Sequence, residues 1–261
     1  MTRPITLITG ASAGIGMELA RVFAQHGHEL VLVARREQQM RTLADDLAGQ
    51  GHPRPTVLAV DLGRPEAVRR VARELLERAL EPQFVVNNAG FGLSGPAAVL
   101  SRAEQLAMID LNVRALTELS LTWIDQLVRH KGGILNVASV AGFIPGPGMA
   151  VYYASKAYVV SFSEALHQEL APQGVRVTAL CPGPVATEFQ ARAGMTDGAS
   201  PRLLALPAAY VAGEGYNGLM QGRRLVVPGP ANKAITVLTR LMPRGLLLSM
   251  IAARQRNRRK T

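Results

Sequence analysis

Short apolar runs rich in β-branched residues alternate along the chain with longer stretches whose apolar positions recur at helical spacing. The runs at 5–9, 29–34, 56–60, 83–87, 133–138, 175–180 and 224–227 predict strands. Helices are expected at about 14–26, 36–49, 64–80, 101–130, 152–171 and 207–221. Strict strand–helix alternation is the pattern of βαβ units, so the fold class is α/β, a doubly wound parallel sheet of about seven strands. In such a sheet ligands bind outside the carboxyl ends of the strands, and the chemically distinctive residues of this chain fall at those ends.

Composition changes this picture little. At 261 residues, 48 % hydrophobic and 18 % charged, the chain suits one large domain, with no Pro/Gly/Ser-rich linker to divide it. Its single cysteine, Cys181, excludes an internal disulfide and fits a reducing compartment. The first strand starts almost at once, with no basic segment and apolar run before it, so cytoplasmic residence is expected.

Charge is distributed unevenly. Residues 1–214 carry 19 basic and 19 acidic side chains, whereas the last 47 carry ten basic and none acidic, which accounts for the whole net charge of +10. The excess belongs to the C-terminal segment, so the reading divides the chain into a domain at 1–230 and a basic amphipathic extension at 231–261. Ile235, Leu238 and Met242 recur there at helical spacing, and Arg240, Pro243 and Arg244 interrupt what would otherwise be a membrane-spanning length. Two readings stand side by side: a helix lying in a membrane interface, and a surface packed on the body or on a second subunit. Nucleic-acid binding through Arg254, Arg256, Arg258, Arg259 and Lys260 would explain only the tail, which lacks interleaved aromatics, so no nucleic-acid partner is expected.

The chemistry begins with Thr9-Gly10-Ala11-Ser12-Ala13-Gly14-Ile15-Gly16, which follows a strand and opens a helix. In that context bare glycines admit a pyrophosphate to the backbone, and the helix N-terminus favours its charge. The second strand ends Val33-Ala34-Arg35-Arg36 with no carboxylate to hold a ribose 2′-hydroxyl, and arginines there suit a 2′-phosphate. Tyr152 and Lys156, spaced i to i+4, share a helix face, where an ammonium would lower the phenol's pKa towards neutrality. A phenol so tuned exchanges a proton with a carbonyl or alcohol oxygen. The five histidines, His26, His28, His52, His130 and His167, show no metal-ligand spacing; no metal is expected and each is placed at a surface or helix end.

Together these elements resemble the short-chain dehydrogenase/reductase family over about residues 4–230. The glycine turn matches the family's TGxxxGxG, Asn87-Asn88-Ala89-Gly90 its NNAG segment, and Asn112, Ser139, Tyr152 and Lys156 its catalytic tetrad. The run from Cys181 through Pro182-Gly183-Pro184-Val185-Ala186 to Thr187 matches the segment that passes the nicotinamide in the family. The resemblance implies a Rossmann fold, with Tyr152 as general acid or base, Lys156 holding the ribose and tuning the phenol, Ser139 bonded to the substrate oxygen and Asn112 holding a water. It implies NADP(H) bound by Gly10, Ser12, Gly14, Ile15, Gly16, Arg35, Arg36, Asp61, Asn88, Ala89, Gly90, Tyr152, Lys156, Pro182, Gly183, Val185 and Thr187.

The activity so implied is hydride transfer between NADP(H) and a carbonyl or secondary alcohol, in a homodimer paired through the helices near 101–130 and 152–171. Apolar residues at 140–149, and at Phe189, Met195 and Leu203–Leu206, suggest a pocket wall and lid for a lipophilic substrate. A non-catalytic nucleotide-binding protein of the same fold and an NAD-dependent alcohol dehydrogenase are the alternatives. Neither requires both the intact tetrad and the arginine pair.

Overall fold

The computed structural model describes residues 2–194, 205–243, 245, 247–249 and 251, with the side chains of 240 and 241 left aside. Met195, Leu203 and Leu204 of the expected lid lie outside the described residues, as do the basic residues from 254 onwards.

Seven parallel strands form one sheet in the order β3-β2-β1-β4-β5-β6-β7. They are β1 (Arg3–Thr9), β2 (Leu30–Ala34), β3 (Thr56–Ala59), β4 (Leu80–Asn87), β5 (Gly133–Val137), β6 (Arg176–Leu180) and β7 (Leu225–Val226). Strand alternation divides the core between the two faces. Ile8, Leu30, Leu32, Phe84 and Val86 pack on one face beside Leu19 and Phe23 of α1 (Gly14–Gln25), Met40 and Leu43 of α2 (Glu37–Gly49) and Val211 and Leu219 of α9 (Ala208–Met220). Leu7, Val31, Val33 and Val85 face the other way, towards Val71 and Leu75 of α3 (Ala67–Glu77) and Leu166 and Leu170 of α7 (Ala150–Leu170). The strand order reverses between β1 and β4, which opens the crevice of a doubly wound sheet at their carboxyl ends.

The expected helix at 101–130 is instead four pieces: α4 (Arg102–Ile109), a π-helical turn (Asp110–Ala115), α5 (Leu116–Thr122) and α6 (Ile124–Arg129). Trp123, at φ −118°, breaks the last two apart. A single π-turn is flanked by ordinary helical spacing on both sides, so the stretch reads as one long helix. Asn112 lies within that turn and is buried.

The remaining differences are at element ends. β4 begins three residues early, just after Ala79 turns the chain at φ 52°. β7 is two residues long, followed closely by Pro228, which has no N–H to give a ladder. His28 departs from its expected surface position, packing edge-on against Phe23 and Phe84.

α8 (Glu188–Arg192) and α10 (Pro230–Leu241) complete the helices used below. α10 lies against the chain's own body: Asn232 and Thr236 are buried, and Asn232 Nδ2 donates to Pro228 O at 3.1 Å. The outward side carries Val237 at 60 % and Leu238 at 59 % exposure. No helix among the described residues is long and apolar enough to cross a membrane.

Candidate active site

A cleft of about 600 Å³ lies at the carboxyl ends of β1, β2, β4, β5 and β6. Thr9 stitches its floor across the reversal of strand order, because Oγ1 donates to Val86 O at 3.2 Å and accepts from the Asn88 and Ala89 amides at 3.0 and 3.1 Å. Asn88 Nδ2 returns a bond to Thr9 O at 2.9 Å. The glycine turn is thereby held against the Asn88-Ala89-Gly90 segment.

Gly10 sits at φ 65°, a conformation that L side chains avoid, and a Cβ at Gly16 would come 2.3 Å from Gly10 O. The turn therefore closes tightly on itself and bares its backbone to the cleft. Gly10, Ser12, Gly14 and Ile15 line that cleft with Arg35, Arg36 and Asp61 on one side and Ala89, Gly90, Pro182, Gly183, Val185 and Thr187 on the other. A bare backbone cradle with two arginines at its outer end fits a dinucleotide carrying phosphates. Asp61 also accepts from Gly63 N at 3.1 Å, which shapes the turn ahead of α3.

Tyr152, Lys156 and Ser139 face the cleft together. Lys156 is buried, and its Nζ donates to Val137 O at the end of β5 at 2.8 Å. Burial lowers its pKa to about 8, with Cys181 opposing the shift. Nζ lies 5.9 Å from the centre of the Tyr152 ring.

The phenol does not behave as the sequence suggests. Burial raises the Tyr152 pKa above its ordinary value, a hydrogen bond with Ser139 pulls it down, and Tyr153 adds to the rise. The expected lowering by Lys156 does not appear: burial is the largest influence on the phenol, and the ammonium is directed at the Val137 carbonyl. Ser139 Oγ also accepts from Ala141 N at 3.1 Å and donates to Pro182 O at 3.4 Å, which ties the serine to the proline-glycine segment.

Two residues of the expected set stand behind the cleft wall. Gly16 serves the closure of the turn, and Asn112 lies behind Gly90. A Cβ at Gly90 would come 2.9 Å from Asn112 Oδ1 and 3.6 Å from Lys156 Nζ. Asn112 accepts from Phe91 N at 3.1 Å and donates to Phe91 O at 2.9 Å and to Ser155 Oγ at 3.1 Å. Its amide thus fixes the chain just past Gly90.

Ser155 is the buried partner of Asn112, bonded also to Tyr152 O at 2.7 Å. Its position three residues after the tyrosine was the available signal. Sequence reasoning also passed over Glu188, Arg192 and Ile251, all of which line the cleft. Tyr158 is exposed and bonds Thr117 at 2.9 Å.

The substrate end is apolar. Phe189 of α8 packs on the Tyr152 ring with centroids 5.4 Å apart, and Phe91, Met149 and Leu111 belong to the same cluster. Thr187 begins α8 by accepting from Phe189 N at 3.4 Å, and its Cγ2 would lie 3.0 Å from a Cβ at Gly14. Beyond the helix, Ala193 O accepts from Ser94 N at 2.8 Å. The short helix therefore crosses from the glycine turn to the chain beyond Phe91.

Comparison with known proteins agrees with this geometry. The family model described as short chain dehydrogenase matches residues 4–197. Sulfoacetaldehyde reductase 2 of Chromohalobacter salexigens is 40 % identical over 188 residues, covering 71 % of this chain and 74 % of that protein. A short-chain dehydrogenase from Sphingobium yanoikuyae in complex with NADPH superposes with a TM-score of 0.80 at 32 % identity, over 92 % of this chain and 97 % of its own. A short-chain dehydrogenase/reductase from Burkholderia phymatum in complex with NAD gives 0.79 at 25 % identity, over 91 % and 92 %.

The buried lysine makes a pH signature for folding. Below about pH 8 both folded and unfolded chains hold its proton, and the folded state bears the full cost of the buried charge. Between about 8 and 10.5 the unfolded chain binds more protons, so raising the pH favours the folded state, by about 3 kcal/mol in all. Urea unfolding across this window should therefore show wild type gaining stability relative to Lys156→Met. Parallel stability curves for the two proteins would contradict a depressed lysine pKa.

Proposed function

The chain belongs to the short-chain dehydrogenase/reductase family of oxidoreductases, and on that premise we propose that it transfers hydride between NADP(H) and the carbonyl or secondary alcohol of a lipophilic small molecule. The observation that carries this reading is the convergence of Tyr152, Ser139 and Lys156 on one cleft with the glycine turn. NADP(H) is favoured over NAD because Arg35 and Arg36 line the outer end of the cleft. The NADPH-bound Sphingobium structure supports that choice, while the NAD-bound Burkholderia structure shows that the fold accommodates both.

When bound, the nicotinamide supplies the hydride chemistry. Tyr152, protonated at neutral pH, is then the proton donor to the carbonyl oxygen. Ser139, already bonded to the phenol, places the same oxygen within reach of both hydroxyls. Lys156, with its pKa near 8, holds the ribose and resupplies the proton. Asn112 acts through the backbone of Phe91, holding the segment between Gly90 and the substrate pocket. Phe189, Met149 and Leu111 exclude water and fit an apolar substrate body.

The same proposal places the protein in the cytoplasm as a homodimer. Leu106, Ile109, Leu121 and Tyr158 are exposed along α4, α5 and α7, the helices on which the family resemblance puts the contact. The residues from 231 are proposed as a membrane-surface element, since α10 turns Ile235, Val237 and Leu238 outwards beside Lys233.

Following NADPH absorbance over a carbonyl panel, with NADH alongside, tests the activity. Tyr152→Phe is expected to lower turnover at least a hundredfold while leaving NADPH binding near wild type. Near-normal turnover by that variant would remove the assigned proton donor.

Vesicle flotation tests the membrane element. Binding to anionic vesicles should weaken with added salt and fall in the Val237→Ser/Leu238→Ser double variant, whose exposed positions spare the core. Absence of vesicle binding at low salt, with a changed oligomeric state in the variant, would make α10 an assembly surface instead.

A further inference from the structure

Arg192 is the last residue of α8, exposed where it lines the cleft, and no hydrogen bond or ion pair among the described residues engages its guanidinium. The guanidinium stacks over the Phe91 ring, 4.5 Å from the ring centre.

The position of α8 says where an anion would meet that guanidinium. Glu188 and Arg192 are i and i+4, so they share one face of the helix about one turn apart. Glu188 Oε2 lies 2.8 Å from Arg36 Nη1, which turns that face towards the outer end of the cleft. Arg36 Nε in turn donates to Ser12 Oγ at 3.3 Å, which joins the glycine turn to the same group of charges. The charges that Arg192 feels agree: Arg35 and Arg36 repel it and Asp61 attracts it, while burial is the largest influence lowering its pKa.

Three guanidinium groups thus gather at one end of the cleft, two from the tip of β2 and one from α8. The counter-charges are few. Glu188 is engaged with Arg36 in a largely exposed pair that contributes little to stability, and Asp61 also pairs with Arg64 at 3.8 Å. An incoming dianion would relieve the repulsion among the arginines.

We propose that Arg192 completes, with Arg35 and Arg36, a three-arginine site for the 2′-phosphate of the dinucleotide, so that part of the cofactor preference is carried on the helix covering the substrate pocket. The inference rests on the NADP(H) reading above and adds to it a residue outside the β2 tip. Phe189 of the same helix packs on Tyr152, so the contact that recognises the phosphate would also steady the wall of the substrate pocket.

Calorimetric binding of adenosine 2′,5′-bisphosphate and adenosine 5′-monophosphate to wild type, Arg192→Gln and Arg192→Lys tests this without turnover or substrate. Arg192→Gln should weaken the bisphosphate by roughly tenfold, the scale of one lost charge-assisted contact, and leave the monophosphate unchanged. Arg192→Lys should recover part of the loss, and unchanged monophosphate binding shows that the variants are folded. Equal weakening of both ligands would assign Arg192 to the 5′-phosphate side and overturn the proposal. So would unchanged binding of both, with a raised KM confined to acidic carbonyl substrates, which would make Arg192 a substrate contact. If wild type itself does not distinguish the two nucleotides, the NADP(H) reading falls and this one with it. If wild type distinguishes them and Arg192→Gln does so equally well, only the role of Arg192 falls.

Discussion

A single buried ammonium, Lys156 Nζ bonded to Val137 O at the end of β5, sets the terms for the rest of the site. Holding a cation there costs solvation that one carbonyl cannot restore, and the lysine accordingly loses affinity for its proton. The same dry surroundings act in the opposite sense on Tyr152, whose ionised form is the one penalised. Burial therefore moves both groups towards their neutral forms. The result is a phenol that keeps its proton beside a lysine that releases one more readily than usual.

The architecture maintains this arrangement with backbone as much as with side chains. Thr9 ties the carboxyl ends of β1 and β4 together, Asn112 clamps both polar groups of the Phe91 backbone, and Ser139 bridges to Pro182. Each bond satisfies a polar group that the dry interior would otherwise penalise, so satisfying them and placing the site are the same act. The C-terminal extension takes part as well: Asn232 of α10 abuts the bare Cα of Gly183, and Ile251 lines the cleft.

Much of this was legible in the amino-acid sequence. All seven strands and the glycine turn were visible, because a parallel sheet covered on both faces writes itself as compact apolar runs and its turns as glycines. Tyr152, Lys156 and Ser139, singled out by the family resemblance, line the cleft. What escaped depends on contacts between distant segments. The π-turn around Asn112 is stabilised by Phe91, 21 residues away, and leaves no periodic trace. The direction of the Tyr152 shift depends on how deeply the fold buries the ring, which an i to i+4 spacing does not record. Arg192 escaped because only the pairing of Glu188 with Arg36 gives its helix face a direction.

The central claim is that burial, and not the neighbouring ammonium, governs the Tyr152 phenol. Carbon-13 labelling of tyrosine ring carbons, with the Tyr152 signal identified by its loss in Tyr152→Phe, follows that ionisation directly by NMR. The account predicts that Tyr152 stays protonated beyond the usual tyrosine value of about 10. A phenol that titrates at or below that value in the nucleotide-free protein would contradict it and return control of the site to the charge of Lys156.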